Sequence, residues 1–328
     1  MSTAAEIIIN QFLKDVDECE TMPWQRPYER YNSFNYFTMK TYRGINRLIL
    51  PFGEYITKNQ INKYNKDHNE DYRFVKGIKW YPVVFFTHVN KDITIEELLK
   101  VFPDCDTKVQ GFIGSDAIWT YYIGDDGKAK KARNVLKFFE VADRQFFKNS
   151  KGETLPSRIK TGEVQIDLED PKKVIDDYVE RSGVDVCWDS IDTPCYLPYT
   201  DMVCLNPHMK SQEEWFSTAF HEFAHSTGAA KRLNRRGIAK PKGISNAEVK
   251  NLYAEEECIA EITACLLCAE CGISTMSTSC SSVYANNLAY VQHWKKKVQE
   301  WGKSFIYIVS KADEAFNYIL GDTEDKNR

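Results

Sequence analysis

Five consecutive residues, His221-Glu222-Phe223-Ala224-His225, carry the clearest chemistry in this chain of 328 residues. Imidazoles four apart on a helix share a face, so both can turn a ring nitrogen toward one ion. The glutamate between them sits close enough to draw a proton from a water held by that ion. Zinc hydrolases need a third protein ligand and one open position. Glu257 is the candidate, because Glu257 and Glu261 again stand four apart in the next long helical stretch, Tyr253-Ala254-Glu255-Glu256-Glu257-Cys258-Ile259-Ala260-Glu261. A helix antiparallel to the first would bring Glu257 to the ion. Glu261 could then accept the outer N–H of a ligand histidine and fix its tautomer. Glu256 points about 100° away from Glu257 on a helix of 3.6 residues per turn and is set aside as a ligand. The expected centre is His221, His225 and Glu257 on Zn2+, with Glu222 as general base and Glu261 behind the ligands.

Two helices must position these groups, and the pattern predicts them at 211–228, ended by Gly228, and at 246–271. A helix near Asp170–Ser182, opened by Asp-Pro, precedes them, with short strands around Val184–Cys187, Thr193–Leu197 and Asp201–Leu205. Further helices are expected at about 282–300 and at 303–320. An HExxH helix followed by a later helix with Glu and an acid four residues on resembles the gluzincin metallopeptidases. Cys265, Cys268 and Cys271 continue the Glu257 helix in steps of three and read as core thiols rather than cluster ligands. The loop Ala229–Ser245 is basic and adjoins the metal helix, where it can shape substrate entry or meet DNA.

The first half is organised differently. Ile7, Ile8, Leu13 and Val16 predict a short amphipathic helix. Tyr72–Val89 reads as β-structure ending in a buried run, and Ala117–Ile123 and Asn134–Val141 as further strands. The polar stretch Asn149–Gly162 reads as the connection. The expectation is an α+β chain of two domains, residues 1–150 and 166–328, joined by a linker at 151–165. A net charge of −4 excludes nucleic-acid binding by bulk charge, so any such binding rests on a local patch. No apolar run approaches the roughly 18–20 residues that span a bilayer. The N-terminus lacks the pattern of a signal peptide, and a cytoplasmic location follows as the expectation. Ten cysteines then read as buried thiols rather than a disulfide framework.

Between residues 24 and 47, Trp24, Tyr28, Tyr31, Phe34, Tyr36, Phe37 and Tyr42 are interleaved with Arg26, Arg30, Lys40, Arg43 and Arg47. Unpaired bases need π-faces to stack on and cations to track their phosphates. This composition supplies both, although at least half of the aromatics are expected in the core. Trp24, Tyr42 and Arg43 are the first candidates for contact. The run Lys128, Lys130, Lys131 and Arg133 reads as a solvated face, with contact to phosphates the sharper alternative.

Taken together, Phe220–Gly228, Arg232-Leu-Asn-Arg235, Tyr253-Ala254, Glu256-Glu257 and Ala260-Glu261 resemble the peptidase domain of ArdC-type antirestriction proteins. Tyr199, Asp201-Met-Val and Asn206-Pro207 fit the same approach to the HExxH helix. Met22-Pro-Trp24, Asn35, Thr38, Tyr42-Arg43-Gly44-Ile45-Asn46 and Val75-Lys76-Gly77 resemble that family's single-stranded-DNA-binding domain. The resemblance implies an N-terminal α+β module that binds single-stranded DNA and a C-terminal zincin-like metallopeptidase. It implies DNA contacts at Trp24, Lys40, Tyr42, Arg43, Asn46, Arg47 and Lys76. It also implies an antirestriction role on a plasmid or phage, with a host restriction-related protein as the peptidase substrate. Two other readings stay open: a non-catalytic DNA protector with a structural zinc, and a zinc peptidase with no role in DNA binding.

Overall fold

The computed structural model describes residues 3–19, 33–115, 119–159, 169–209, 211–239, 245–273 and 287–322. Two compact units emerge, one built on Pro82–Phe139 and the other on Ala5–Tyr81 with Glu140–Arg328.

The larger unit begins with α1 (Ala4–Cys19), whose buried stripe is Ile8, Ile9, Phe12 and Val16. This is the predicted amphipathic helix, rotated slightly, since Ile7 and Leu13 are only half-buried. Then come β1 (Phe34–Asn35), α2 (Ile45–Ile49), β2 (Glu54–Thr57), α3 (Lys58–His68) and β3 (Arg73–Phe74). Thr57 and Gln60 close a capping box that starts α3 directly from β2. Tyr36, Ile56, Ile61, Ala142, Phe147 and Leu155 form a core here. Residues 151–159, in the stretch read as a connection, dock on that core. Leu155 is buried, Arg158 donates to the Tyr36 and Phe37 carbonyls at 2.9 Å each, and Glu54 accepts from the Arg158 N–H at 2.7 Å. Residues 160–168 lie outside the described residues.

The smaller unit is a sheet with one helix among its described residues. It contains β4 (Tyr81–Asp92), α4 (Ile95–Val101), β5 (Gly111–Ser115), β6 (Thr120–Ile123) and most of β7 (Ala129–Asp143). β5 pairs β6, β6 pairs the start of β7, and β4 also pairs β7. α4, opened by the Thr94–Glu97 capping box, lays Leu98 on Tyr121, Ile123 and Ala129. The run Tyr81–Phe86 departs from its expected burial: Val83 and Val84 are inside, whereas Phe85 is 43% and Phe86 52% exposed.

In the larger unit the chain continues through β8 (Phe147–Lys148), α5 (Pro171–Ser182), β9 (Asp185–Cys187), β10 (Cys195–Leu197) and β11 (Met202–Cys204). It ends with α6 (Gln212–Thr227), α7 (Arg236–Ala239), α8 (Asn246–Glu270), α9 (Asn287–Trp301) and α10 (Lys303–Leu320). Asp170 caps α5, with Pro171 at its first position, as the Asp-Pro pair predicts. Ser211 caps α6 by accepting the Glu214 N–H, and Ser245 closes a capping box with Glu248 at the start of α8. β10, β11 and β9 form a small mixed sheet in that order. Phe216, Phe220 and Phe223 of α6, Ile262 and Leu266 of α8 and Phe305, Ile308 and Val309 of α10 fill the core that these helices share. Cys258, Cys265, Cys268 and Cys271 are buried, the core thiols expected of them.

Candidate metal centre and nucleic-acid face

α6 and α8 pack side by side and bring three predicted ligands together. His221, His225 and Glu257 each offer one donor atom, all within 4.8 Å of one another. The two Nε2 atoms are 3.1 Å apart, and Glu257 oxygens lie 3.6 Å from that of His221 and 3.5 Å from that of His225. Metal–ligand bonds of about 2.0–2.1 Å at tetrahedral angles place donors roughly 3.3 Å apart, so this triangle fits one ion.

The acids behind the rings set their polarity. His225 Nδ1 faces Glu256 Oε1 at 3.3 Å. His221 Nδ1 faces Glu261 Oε2 at 3.8 Å, beyond hydrogen-bond length, and is buried without a partner among the described residues. Both contacts favour the proton on Nδ1. Two Nε2 lone pairs and a carboxylate are thereby aimed at one point, which a cation satisfies. The electrostatics agree. Burial alone would lower the His221 pKa, but the Glu257 carboxylate beside it and the charges of Glu222 and Glu261 push it up to about 9. Burial raises Glu257, and the two imidazoles beside its carboxylate bring it down to about 2. A site this electronegative gains from a bound cation what it otherwise gains from a proton.

Glu222, the intervening residue of α6, is buried, and that burial pushes its carboxyl above the usual range against the pull of His221 and His225. It also accepts the backbone N–H of Tyr196, on β10. Tyr253, one turn before Glu257 on α8, is 62% exposed and hydrogen-bonded to the Glu257 carboxylate.

Sequence reasoning missed what stands behind His225. Glu256, set aside as a ligand, orients that imidazole, and Arg235 holds Glu256 with Nε at 2.9 Å and Nη2 at 2.6 Å. Arg235 also donates to Thr227 Oγ1 at 2.6 Å and to the Ala224 carbonyl at 2.8 Å, so it ties the end of α6 to α8. Gly237 permits this closure: a Cβ there would lie 2.6 Å from that of Glu256. Arg232 and Lys231 in the same loop pair with Asp201, beside β11. The visible signal was a run of basic residues without acids directly after the metal helix.

The described residues expected to touch DNA differ in exposure. Trp24 lies outside the described residues. Lys40 and Lys76 are exposed. Tyr42 is half-buried, edge-on to Tyr55 at 6.2 Å. Arg43 pairs with Asp322 at 3.3 Å, and Asn46 sits half-buried on α2. Arg47 is enclosed, its side chain 8% exposed, with Asp313 at 3.2 Å and its guanidinium 4.8 Å from the Phe316 ring. Arg47 thus serves α10 rather than solvent, because a buried guanidinium needs a buried carboxylate.

A different surface offers aromatics and cations together. In the smaller unit Lys91, Lys131 and Arg133 approach the Trp119 ring at 5.8, 5.1 and 4.5 Å. None of these three cations has an ion pair among the described residues. Along β7, Lys131, Arg133, Lys137 and Phe139 alternate onto one face, and Phe139 stacks on Phe85 at 4.8 Å and 10°. Both phenylalanines are more than a third exposed. A period-two reading of residues 131–139 would have found this face; the basic run alone did not. Lys130, in the same run, points elsewhere and pairs with Asp126.

Comparison with known proteins locates both parts of the chain. Residues 2–111 match the family described as the N-terminal domain of anti-restriction factor ArdC, and residues 173–309 match the zincin-like metallopeptidases. Among solved structures, the antirestriction ArdC protein from plasmid R388 is similar in its metal-free form (TM-score 0.59, 21% identity, 96% of each chain covered). Its Mn(II)-bound form is similar to the same degree (TM-score 0.59, 19% identity, 99% of this chain and all of that one). Two DNA primase TraC proteins of Escherichia coli are each 24% identical over 96% and 92% of this chain. The chain spans only 20% and 25% of their lengths. No described helix is long and apolar enough to cross a membrane.

Proposed function

We propose a metal-dependent peptidase function, coupled to single-stranded DNA, for this chain, which belongs with the ArdC-type antirestriction proteins through its ArdC N-terminal domain and its zincin-like metallopeptidase domain. The observation that carries this reading is the convergence of His221, His225 and Glu257 beside the buried Glu222.

His221, His225 and Glu257 would hold the ion, and Glu256 and Glu261 would orient the two imidazoles. A bound divalent cation supplies Lewis-acid polarisation of a peptide carbonyl and of the attacking water. Nitrogen and carboxylate ligands suit Zn2+, which such a site binds more tightly than Mn2+; the Mn(II) form of the R388 relative makes both ions worth testing. Glu222, with its raised pKa, takes the proton of the attacking water at its carboxylate and delivers it to the leaving amine. The face of Phe85, Phe139, Trp119, Lys131 and Arg133 would hold unpaired DNA by stacking and phosphate contact. The antirestriction role on a plasmid or phage would follow if the protein whose peptide bond is cut acts on entering DNA.

The test is elemental analysis of purified protein beside its variants. One equivalent of metal is expected in the parent and in Glu222→Gln, and much less in His221→Ala. Glu222→Gln should lose about 10²–10⁴-fold in peptide hydrolysis with its metal retained. Hydrolysis and restriction protection that survive Glu222→Gln would instead make the metal site structural.

A further inference from the structure

The small sheet beside the metal centre carries a row of thiols. Cys195 of β10 stands opposite Cys204 of β11, and Cys204 stands opposite Cys187 of β9. Residues in register on neighbouring strands project from the same face, so the three side chains line up across the sheet. Tyr196, Val203 and Val186, the next row, take the other face. All three cysteines are free and half-buried, unlike the enclosed thiols of α8. Cys204, in the middle, is within thiol hydrogen-bonding reach of both neighbours. Cys195 and Cys204 oppose each other in an antiparallel pair, where Cα atoms lie about 4.5–5.5 Å apart. Cys204 and Cys187 oppose each other in a parallel pair, where neighbouring strands lie about 4.7–4.9 Å apart. Both spacings fall inside the range of about 4.4–6.8 Å that a disulfide bridges. The location matters as well. Cys195 precedes Tyr196, whose N–H is held by Glu222, and a covalent tie at Cys195 would act one residue from that hydrogen bond.

We propose that Cys187, Cys204 and Cys195 form a thiol–disulfide exchange site, oxidised by a low-molecular-weight disulfide, in which Cys204 bonds to one neighbour or the other. A protein thiolate attacks one sulfur of the small disulfide, whose S–S bond breaks to release one small thiol. A neighbouring protein thiolate then attacks the mixed disulfide and releases the second. Two protein thiols are oxidised, one small disulfide is reduced to two thiols, and the protons given up by the protein leave on them. Three thiols in a row allow two mutually exclusive bridges that share Cys204. The reaction is independent of the peptidase reading, because it is observed in the covalent state of the cysteines.

The full-length protein would be incubated with oxidised glutathione, blocked with a maleimide, digested and mapped by mass spectrometry. The expected product is lighter by two hydrogen atoms, with Cys204 linked to Cys195 or to Cys187. Cys195→Ser should shift all linkage to Cys187–Cys204, and Cys187→Ser should shift it to Cys195–Cys204. Cys204→Ser should yield glutathione adducts without an internal bridge among the remaining two. The proposal is overturned if the parent protein keeps all three thiols open to the maleimide, or carries only glutathione on them. A Cys187–Cys195 bridge in Cys204→Ser would overturn it too. The map of the unmodified sequence decides the matter even if a variant fails to fold.

Discussion

At the candidate metal centre, His225 depends on a residue outside the proposed ligand set. Its Nδ1 meets Glu256, and Glu256 is clamped by Arg235 inside the protein, both side chains being under 5% exposed. Glu256→Gln should lower metal affinity about 10–100-fold, read by competition with a chelator. It should also destabilise the fold by up to roughly 3–5 kcal/mol in urea unfolding, because Arg235 is left as a buried uncompensated charge. Adding Arg235→Met should restore stability and leave the metal affinity low, separating the two effects. A second residue gives a pH signature. Burial raises the Asp201 pKa, but hydrogen bonds from Arg232, Lys231 and Tyr196 outweigh it and bring it to about 2. The unfolded value is about 3.9. The stabilisation is therefore complete above about pH 4 and lost as pH falls toward the folded pKa. Asp201→Asn should lower stability at neutral pH and flatten this acid limb, measured by urea unfolding across the acid range.

Among the elements, α6 and α8 were legible because their caps and spacings are local. Ser211, Gly228 and the four-residue spacing of the ligands lie within one or two turns of what they determine. The sheet face on β7 was less legible, since burial of a strand depends on what covers each side. Phe85 and Phe86 read as core by composition, yet they are exposed. This surface yields a contrast. Lys131→Gln or Arg133→Gln should each reduce the salt slope of single-stranded DNA binding by roughly 0.7. Phe139→Ala should weaken binding by roughly 1–3 kcal/mol. Arg47→Gln should lower the melting temperature and leave the salt slope unchanged, because its charge is spent on Asp313. Anisotropy titrations across a salt series read all four variants, and equal salt slopes for Arg133→Gln and the parent would remove this face from DNA binding.

Across the molecule, the N-terminal segments do not stand apart from the C-terminal helices. Phe12 of α1 meets Phe305 of α10 edge-on at 5.1 Å, Lys295 of α9 pairs with Asp17, and Arg47 of α2 is buried against Asp313. A fragment of residues 1–150 loses all of these partners and exposes the stripe Ile8–Phe12–Val16. It should melt without a cooperative transition in circular dichroism, although it holds the whole match to the ArdC N-terminal domain. A sharp two-state melt for the fragment would show that α1 and α2 fold without the helices they touch.

Local information settled α5, α6, α8 and α10, the two imidazoles on one face and the glutamate between them, because a helical repeat of 3.6 residues converts spacing directly into direction. It also placed Glu257 on the facing helix. The partnership of Glu256 with His225, the enclosure of Arg47, the exposure of Phe85 and the alignment of three cysteines were decided by tertiary structure. Each depends on how one element is rotated or registered against another distant in sequence. That rotation is set by the packing of many side chains at once, and no single spacing along the chain records it.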